Sequence, residues 1–131
     1  MKAPESLPIA EFHGDGISEE LSHSIHRIAE DLPLEIQFQS VDLSLERRRA
    51  ESEAAFIEAE DAIRAHRVAL KYPTITEDVS PNKILRERFG FTVIHRPVSS
   101  IPGVGTRHDG AVDLHIVRIA VGGTYEDAGR R

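Results

Sequence analysis

Three arginines are spaced so that together they could bind an organic anion. Arg86 falls in a predicted helix, Arg96 lies late in the predicted strand after it, and Arg118 lies late in the next strand. A guanidinium group grips a carboxylate through two parallel charge-assisted hydrogen bonds, so three of them suit a di- or tricarboxylic acid. Taken one at a time, each arginine is more simply explained by an ion pair on the surface.

Ser80 and Asn82 stand where the helix of Arg86 is predicted to begin. Ser80-Pro81 has the form of an N-cap followed by proline at the first helical position. The start of a helix offers unpaired N–H groups and a partial positive charge to an anion. Taken alone, however, Ser80 is more simply a residue that caps its own helix.

The apolar pattern predicts an α/β fold, with a mixed, partly parallel sheet and flanking helices in a single domain over residues 1–131. In the first helix, Leu21, Ile25 and Ile28 fall on one face. In the second, the charged residues around 46–51 are interpreted as a solvated face. They lie opposite an apolar stripe of Ala55, Phe56, Ala59, Ala62 and Ile63. The predicted strands cover 7–12, 34–41, 68–71, 91–98 and 112–119, and the predicted helices cover 18–30, 45–66 and 82–89.

Composition narrows the classes of partner. A net charge of −6 over 131 residues disfavours binding to nucleic acid or to an anionic membrane surface. Without cysteine, the chain has no disulfide and no thiolate metal site. No apolar run is long enough to span a membrane, so the cytoplasm is the expected location.

Metal binding is not expected from the sequence. Asp109 and Asp113 have a ligand-like spacing, but one falls in a predicted loop and the other in a predicted strand. The seven histidines show no ligand spacing on a shared element and are interpreted as surface or structural residues.

Five motifs, in one order, resemble the isocitrate/isopropylmalate dehydrogenase family. The turn at 13–20 is similar to the family's Gly-Asp-Gly-Ile-Gly-Pro-Glu, and 68–73 is similar to Val-Ala-Leu-Lys-Gly-Pro, with Tyr72 in place of glycine. Residues 80–86 resemble the Ser-Leu-Asn-Val-Ala-Leu-Arg helix start of isocitrate dehydrogenases. The last two motifs are the Arg-Pro strand with its Pro-Gly loop at 96–107 and the Val-Asp-Leu strand at 112–118. The chain is thus identified as a truncated member.

The resemblance implies roles for individual residues. Tyr125 would be the catalytic phenol that assists proton transfer after decarboxylation. Thr74, Ile75 and Thr76 would lie in the region that touches the cofactor, although capping of their own loop is the simpler interpretation. Isocitrate or citrate is expected before isopropylmalate because of Ser80 and Asn82. The implied substrate contacts are Ser80, Asn82, Arg86, Arg96 and Arg118.

The family pattern also implies what this chain lacks. The later half of family members supplies the general-base lysine, the aspartates that hold Mg2+ or Mn2+ and the loop for the cofactor's adenosine. After Arg118 the sequence reads Ile-Ala-Val-Gly-Gly rather than the family's Glu-Asn-Thr-Glu-Gly. We therefore expect no cofactor in the isolated chain, and NAD or NADP with Mg2+ or Mn2+ only if a partner completes the site.

Three functional hypotheses follow. In the first, the protein binds an isocitrate-type polycarboxylate without completing a reaction on its own. In the second, a homodimer or a complementing subunit restores NAD(P)-dependent dehydrogenase activity. In the third, the chain is a structural or interaction module with a relic site. Because open sheet edges favour pairing between chains, a homodimer or a rearranged sheet is expected.

Overall fold

The computed structural model describes residues 6–105, 107 and 111–120. The chain forms two compact units, Met1–Lys83 and Ile84–Arg131. The prediction of a single domain over residues 1–131 stays a prediction.

A three-stranded parallel sheet forms the centre of the first unit, with the strand order β2-β1-β3. The strands are β1 (Ser6–His13), β2 (Glu35–Asp42) and β3 (Ala69–Lys71). Strand β1 pairs with β2 along its whole length and with β3 from Ala10 to Phe12. Residues 9–12 of β1 are all buried, as expected of a parallel strand that is covered on both faces.

Two helices cover the sheet: α1 (Ser18–Glu30) and α2 (Leu45–His66). His26 of α1 stacks on Phe38 of β2, whereas His66 of α2 is hydrogen-bonded to Gln39. Because neighbouring strand residues point to opposite faces, the two helices lie on opposite sides of the sheet. The predicted stripe on α2 is confirmed, with Ala55, Phe56, Ala59 and Ala62 buried in the core.

Helix α1 is confirmed, but its apolar residues are not the ones that it buries. Leu21 and Ile28 are exposed, while Ser18 and Ser22 are buried. The reason is the buried carboxylate of Glu11 in β1, to which the Ser22 hydroxyl donates a hydrogen bond of 3.0 Å. Because of this carboxylate, α1 packs the face that carries its serines, rather than its apolar face, against the sheet.

The second unit contains most of α3 (Pro81–Phe89) and an antiparallel ribbon. The ribbon consists of β4 (Val93–Ser99) and β5 (Asp113–Ile119), paired from Val93↔Ile119 to Ser99↔Asp113. The predicted α/β class is confirmed, with the parallel and antiparallel strands in separate sheets.

Candidate functional site

The carboxylate of Asp15 joins three segments at the carboxyl end of the parallel sheet. It accepts hydrogen bonds from the backbone N–H of Leu45 at 2.7 Å and of Ile75 at 2.8 Å, and from the Arg48 guanidinium at 3.3 Å. Burial alone would raise the pKa of Asp15, but these donors outweigh it and hold the pKa below its ordinary value. The Gly-Asp-Gly turn therefore connects the start of α2 to the loop after β3.

Arg48 corrects the interpretation of residues 46–51 as a solvated face. Its side chain is only 9% exposed, and besides Asp15 it donates to the backbone carbonyls of Leu43 and Ile75, both at 2.8 Å. Arg49 faces solvent and pairs with Glu77. Sequence patterning missed Arg48 because the residues on either side of it are also arginines.

The predicted cofactor contacts Thr74 and Ile75 lie in this loop, and their polar groups are already engaged. Lys71 Nζ donates to the Thr74 hydroxyl at 2.9 Å, while both backbone polar groups of Ile75 are bound by Asp15 and Arg48. Burial, together with the nearby Arg48 charge and against the pull of Asp15, lowers the pKa of Lys71 to about 8. Thr76 is exposed.

An open groove of about 670 Å³ runs beside this loop. Ile75 and Asp15 line it from one side and the first turns of α2 from the other, through Leu45, Glu46, Arg49 and Ala50. The described residues hold Thr74 and Ile75 in internal hydrogen bonds, and their contact with a cofactor stays a prediction. They also include no group of three or more histidine or acidic side chains able to hold a metal ion.

Ser80 and Asn82 lie at the start of α3, in the first unit. The Lys83 N–H donates to the Ser80 backbone carbonyl at 2.9 Å, Ser80 is half-buried, and Asn82 is exposed. Arg86 lies four residues beyond Asn82 on the same helix. Their predicted role in substrate binding stays a prediction.

Arg96 and Arg118 are brought onto one face of the β4–β5 ribbon. Arg96 is paired with Ile116, and Arg118 is paired with Ile94, so the two arginines occupy diagonal positions of adjacent pairs on the same side. Both are exposed. The pairing of β4 with β5 thus brings the two arginines to one surface. Tyr125, the predicted catalytic phenol, lies outside the described residues.

A second polar cluster, absent from the sequence predictions, surrounds Glu11 in the first unit. This carboxylate is fully buried and accepts hydrogen bonds from Tyr72 Oη at 2.6 Å and Ser22 Oγ at 3.0 Å. Two histidine nitrogens lie close to it, His26 Nε2 at 2.9 Å and His13 Nε2 at 3.2 Å.

The contacts in this cluster shift the pKa values of Glu11 and Tyr72 in opposite directions. Burial would raise the pKa of Glu11, but the hydrogen bonds from Tyr72, His26 and Ser22 lower it below its ordinary value. Burial and the same bond to Glu11 raise the pKa of Tyr72 to about 12. The signal in the sequence was Glu11 itself, the one charged residue in the otherwise apolar predicted strand 7–12.

Comparison with known proteins identifies the family. The family model for isocitrate/isopropylmalate dehydrogenase matches residues 6–130. The chain belongs to this family. Isocitrate dehydrogenase [NADP] 1 of Mycobacterium bovis is 32% identical over 120 residues, which cover 77% of this chain and 28% of the relative. Isocitrate dehydrogenase [NAD] subunit 2 of Schizosaccharomyces pombe is 31% identical over 116 residues, covering 86% and 30%.

Solved structures share this fold. An isocitrate dehydrogenase from Methylococcus capsulatus superposes with a TM-score of 0.72 at 24% identity, covering 86% of this chain and 34% of that one. A protein from Thermus thermophilus superposes with a TM-score of 0.69 at 30% identity, covering 86% and 24%. The predicted resemblance to the first part of the family fold is confirmed.

The chain spans less than a third of the length of the curated relatives that it matches. None of the helices in the described part of the chain is long and apolar enough to cross a membrane. A cytoplasmic location stays a prediction.

Proposed function

We propose that the protein binds an isocitrate-type polycarboxylate and does not complete a dehydrogenase reaction as an isolated chain. The observation that carries the proposal is the shared face of Arg96 and Arg118 on the β4–β5 ribbon. Two guanidinium groups at diagonal positions match two carboxylates of one small molecule. Their presence in a member of a family named for isocitrate and isopropylmalate supports the choice of ligand.

Ser80, Asn82 and Arg86 are proposed as further contacts. A hydroxyl and an amide at the start of α3 suit the hydroxyl and carboxylate groups of isocitrate or citrate, and isopropylmalate would leave them facing an alkyl group. Tyr125 is proposed as the proton-transferring phenol, in a role that requires a complete site.

A thermal shift with isocitrate, citrate and isopropylmalate tests this function. A ligand at one hundred times its dissociation constant adds about 2.7 kcal/mol of stability, which is a shift of several degrees in a domain of this size. We expect a shift with isocitrate or citrate that is lost in Arg96→Ala and in Arg118→Ala. Arg27→Ala is the matched control, because Arg27 is exposed on α1 and pairs with Glu30. The absence of any shift in the wild-type protein would contradict the proposal.

A second candidate is an active dehydrogenase completed by another chain. The name of the S. pombe relative, subunit 2 of an isocitrate dehydrogenase, favours it, because that name implies an enzyme of more than one subunit. The partner would be a second copy or a complementing subunit that supplies the metal ligands and the cofactor site. Light scattering that gives twice the chain mass, together with NAD or NADP reduction in the presence of Mn2+, would support this candidate. A monomer that never reduces either cofactor, alone or with co-purifying chains, would contradict it.

A further inference from the structure

Two histidines on the β4–β5 ribbon lie with their ring nitrogens in direct contact. Nε2 of His95 and Nδ1 of His115 are 2.7 Å apart. The rings are nearly parallel, with an interplanar angle of 11° and centroids 5.0 Å apart. A contact this short between two ring nitrogens is a hydrogen bond in which one nitrogen donates and the other accepts, so at least one ring is neutral.

The strand register fixes this pair. His95 is paired with Val117, and His115 is paired with Pro97, so the histidines occupy diagonal positions on one face. Since side chains alternate along a strand, this face is opposite to that of Arg96 and Arg118. The pair therefore lies outside the proposed polycarboxylate site.

We propose that His95 and His115 form a chelating site for a borderline divalent transition-metal ion, of the class of Zn2+, Ni2+ and Cu2+. Imidazole nitrogen is a preferred ligand of these ions, whereas Mg2+ and Ca2+ prefer oxygen. The site thus takes a different class of metal from the Mg2+ or Mn2+ of dehydrogenase chemistry.

The distance between the two ring nitrogens is close to that found in a chelate. Two metal–nitrogen bonds of about 2.05 Å hold their nitrogens about 2.9 Å apart at a right angle and about 3.3 Å apart at a tetrahedral angle. The present separation of 2.7 Å needs to widen by a few tenths of an ångström, and both rings need to turn so that their lone pairs point at the ion rather than at each other. On binding, the donor ring changes tautomer: the proton between the rings passes through solvent to the other nitrogen of the same ring, which stays neutral, and the freed lone pair bonds to the ion.

The ribbon favours chelation in two further ways. Strands paired over seven positions hold both backbones, so binding the ion orders little more than two side-chain rotations. Both histidines are exposed, so a hydrated ion reaches them directly and keeps water in its remaining positions. Among the described residues, no third histidine or acidic side chain joins this pair, so the two imidazoles are the proposed ligands.

Isothermal titration of untagged protein with NiCl2 and with ZnCl2, at pH 7.5 in a non-coordinating buffer, tests the proposal. We expect one ion per pair of histidines and at least a tenfold loss of affinity in His95→Gln and in His115→Gln. The double variant should lose little more affinity than either single variant, because one imidazole alone no longer chelates. His23→Gln, at an exposed position of α1, is the control and should bind as the wild type does.

A second measurement locates the ion without any substitution. Substoichiometric Cu2+ should broaden the backbone amide NMR signals of β4 and β5 around residues 95 and 115 first. Broadening centred on His13 and His26, no binding to the wild type, or unchanged affinity in the double variant would each overturn the proposal. The titrations contain no citrate or isocitrate, because both chelate metal ions. Failure of the metal site is therefore distinct from failure of the polycarboxylate site.

Discussion

Glu11 is a carboxylate that the fold buries completely. A buried carboxylate is stable only when donors replace the water it has lost, and here Tyr72 and Ser22 donate to it while His26 lies at 2.9 Å. We expect Glu11→Gln to lower the free energy of unfolding by about 1–3 kcal/mol, because the new amide presents N–H groups where an acceptor is needed. Urea unfolding followed by circular dichroism measures this loss.

Glu19→Gln is the matched control for Glu11→Gln. Glu19 is an exposed residue in the first turn of α1, and its substitution should change stability by less than about 0.5 kcal/mol. Equal stabilities of the Glu11 and Glu19 variants would show that the donors around Glu11 do not stabilise its charge.

The residues around Asp15 and Glu11 include side chains whose contacts could not be predicted from the sequence. A charge run predicted that Arg48 is solvated, because periodicity carries no information about a single long side chain that turns inward. Tyr72 was noticed only as a replacement for glycine. Its role depends on Glu11, 61 residues away in the chain, and only the β1–β3 pairing brings the two together.

Among the elements, the turn after β1 depends on a close backbone approach. A Cβ added at Gly14 would lie 1.9 Å from the carbonyl oxygen of Pro73, and the adjacent Asp15 N–H donates to that same oxygen at 2.7 Å. We expect Gly14→Ala to cost about 1–3 kcal/mol or more, because backbone rather than a flexible side chain must move. Thermal unfolding should show a lower Tm. Gly105→Ala, with no atom within 4 Å of its added Cβ, should leave the Tm unchanged.

The end of α2 carries backbone strain. Arg67 caps the helix at φ 65°, a left-handed conformation that disfavours residues with a Cβ. We expect Arg67→Gly to stabilise the protein by about 0.5–1 kcal/mol, since glycine removes the strain but increases the freedom of the unfolded chain. Arg67→Ala separates this cause from loss of charge, because alanine keeps the strain. A gain as large with alanine as with glycine would contradict the explanation.

Most helices and strands could be predicted from the sequence because their signals are local. The stripe on α2, the Ser-Pro start of α3 and the alternating strands each fix an element within its own residues. The polar buried face of α1 could not be predicted, since it is selected by Glu11 across the sheet. For the candidate site, the sequence placed Arg96 and Arg118 on successive strands, but only the register of the β4–β5 pair shows that they share a face.

The carboxyl groups of Glu11 and Asp15 should make the free energy of unfolding of the protein decrease at low pH. Both Glu11 and Asp15 have pKa values below their ordinary values. A group whose folded pKa is depressed contributes stability that is present above its unfolded pKa, about 4, and is lost as the pH falls through the folded value. We therefore expect the urea midpoint to drop progressively below about pH 5.

Comparison of the wild type with Glu11→Gln isolates the contribution of the Glu11 carboxyl group to this acid dependence. At pH 7 the variant should be clearly less stable than the wild type, and the difference should shrink as the pH falls because the wild type then protonates the carboxyl group that the variant lacks. The charged and titratable groups facing Glu11 are His13, His26 and Tyr72. Tyr72→Phe keeps the Glu11 carboxylate but removes the donor of its shortest hydrogen bond. Its stability can be measured over the same pH range if the Glu11→Gln variant does not fold. It should raise the folded pKa of Glu11 and so flatten the acid limb. A gap between wild type and Glu11→Gln that stays constant from pH 7 to pH 3.5 would mean that acid destabilises the protein at other groups.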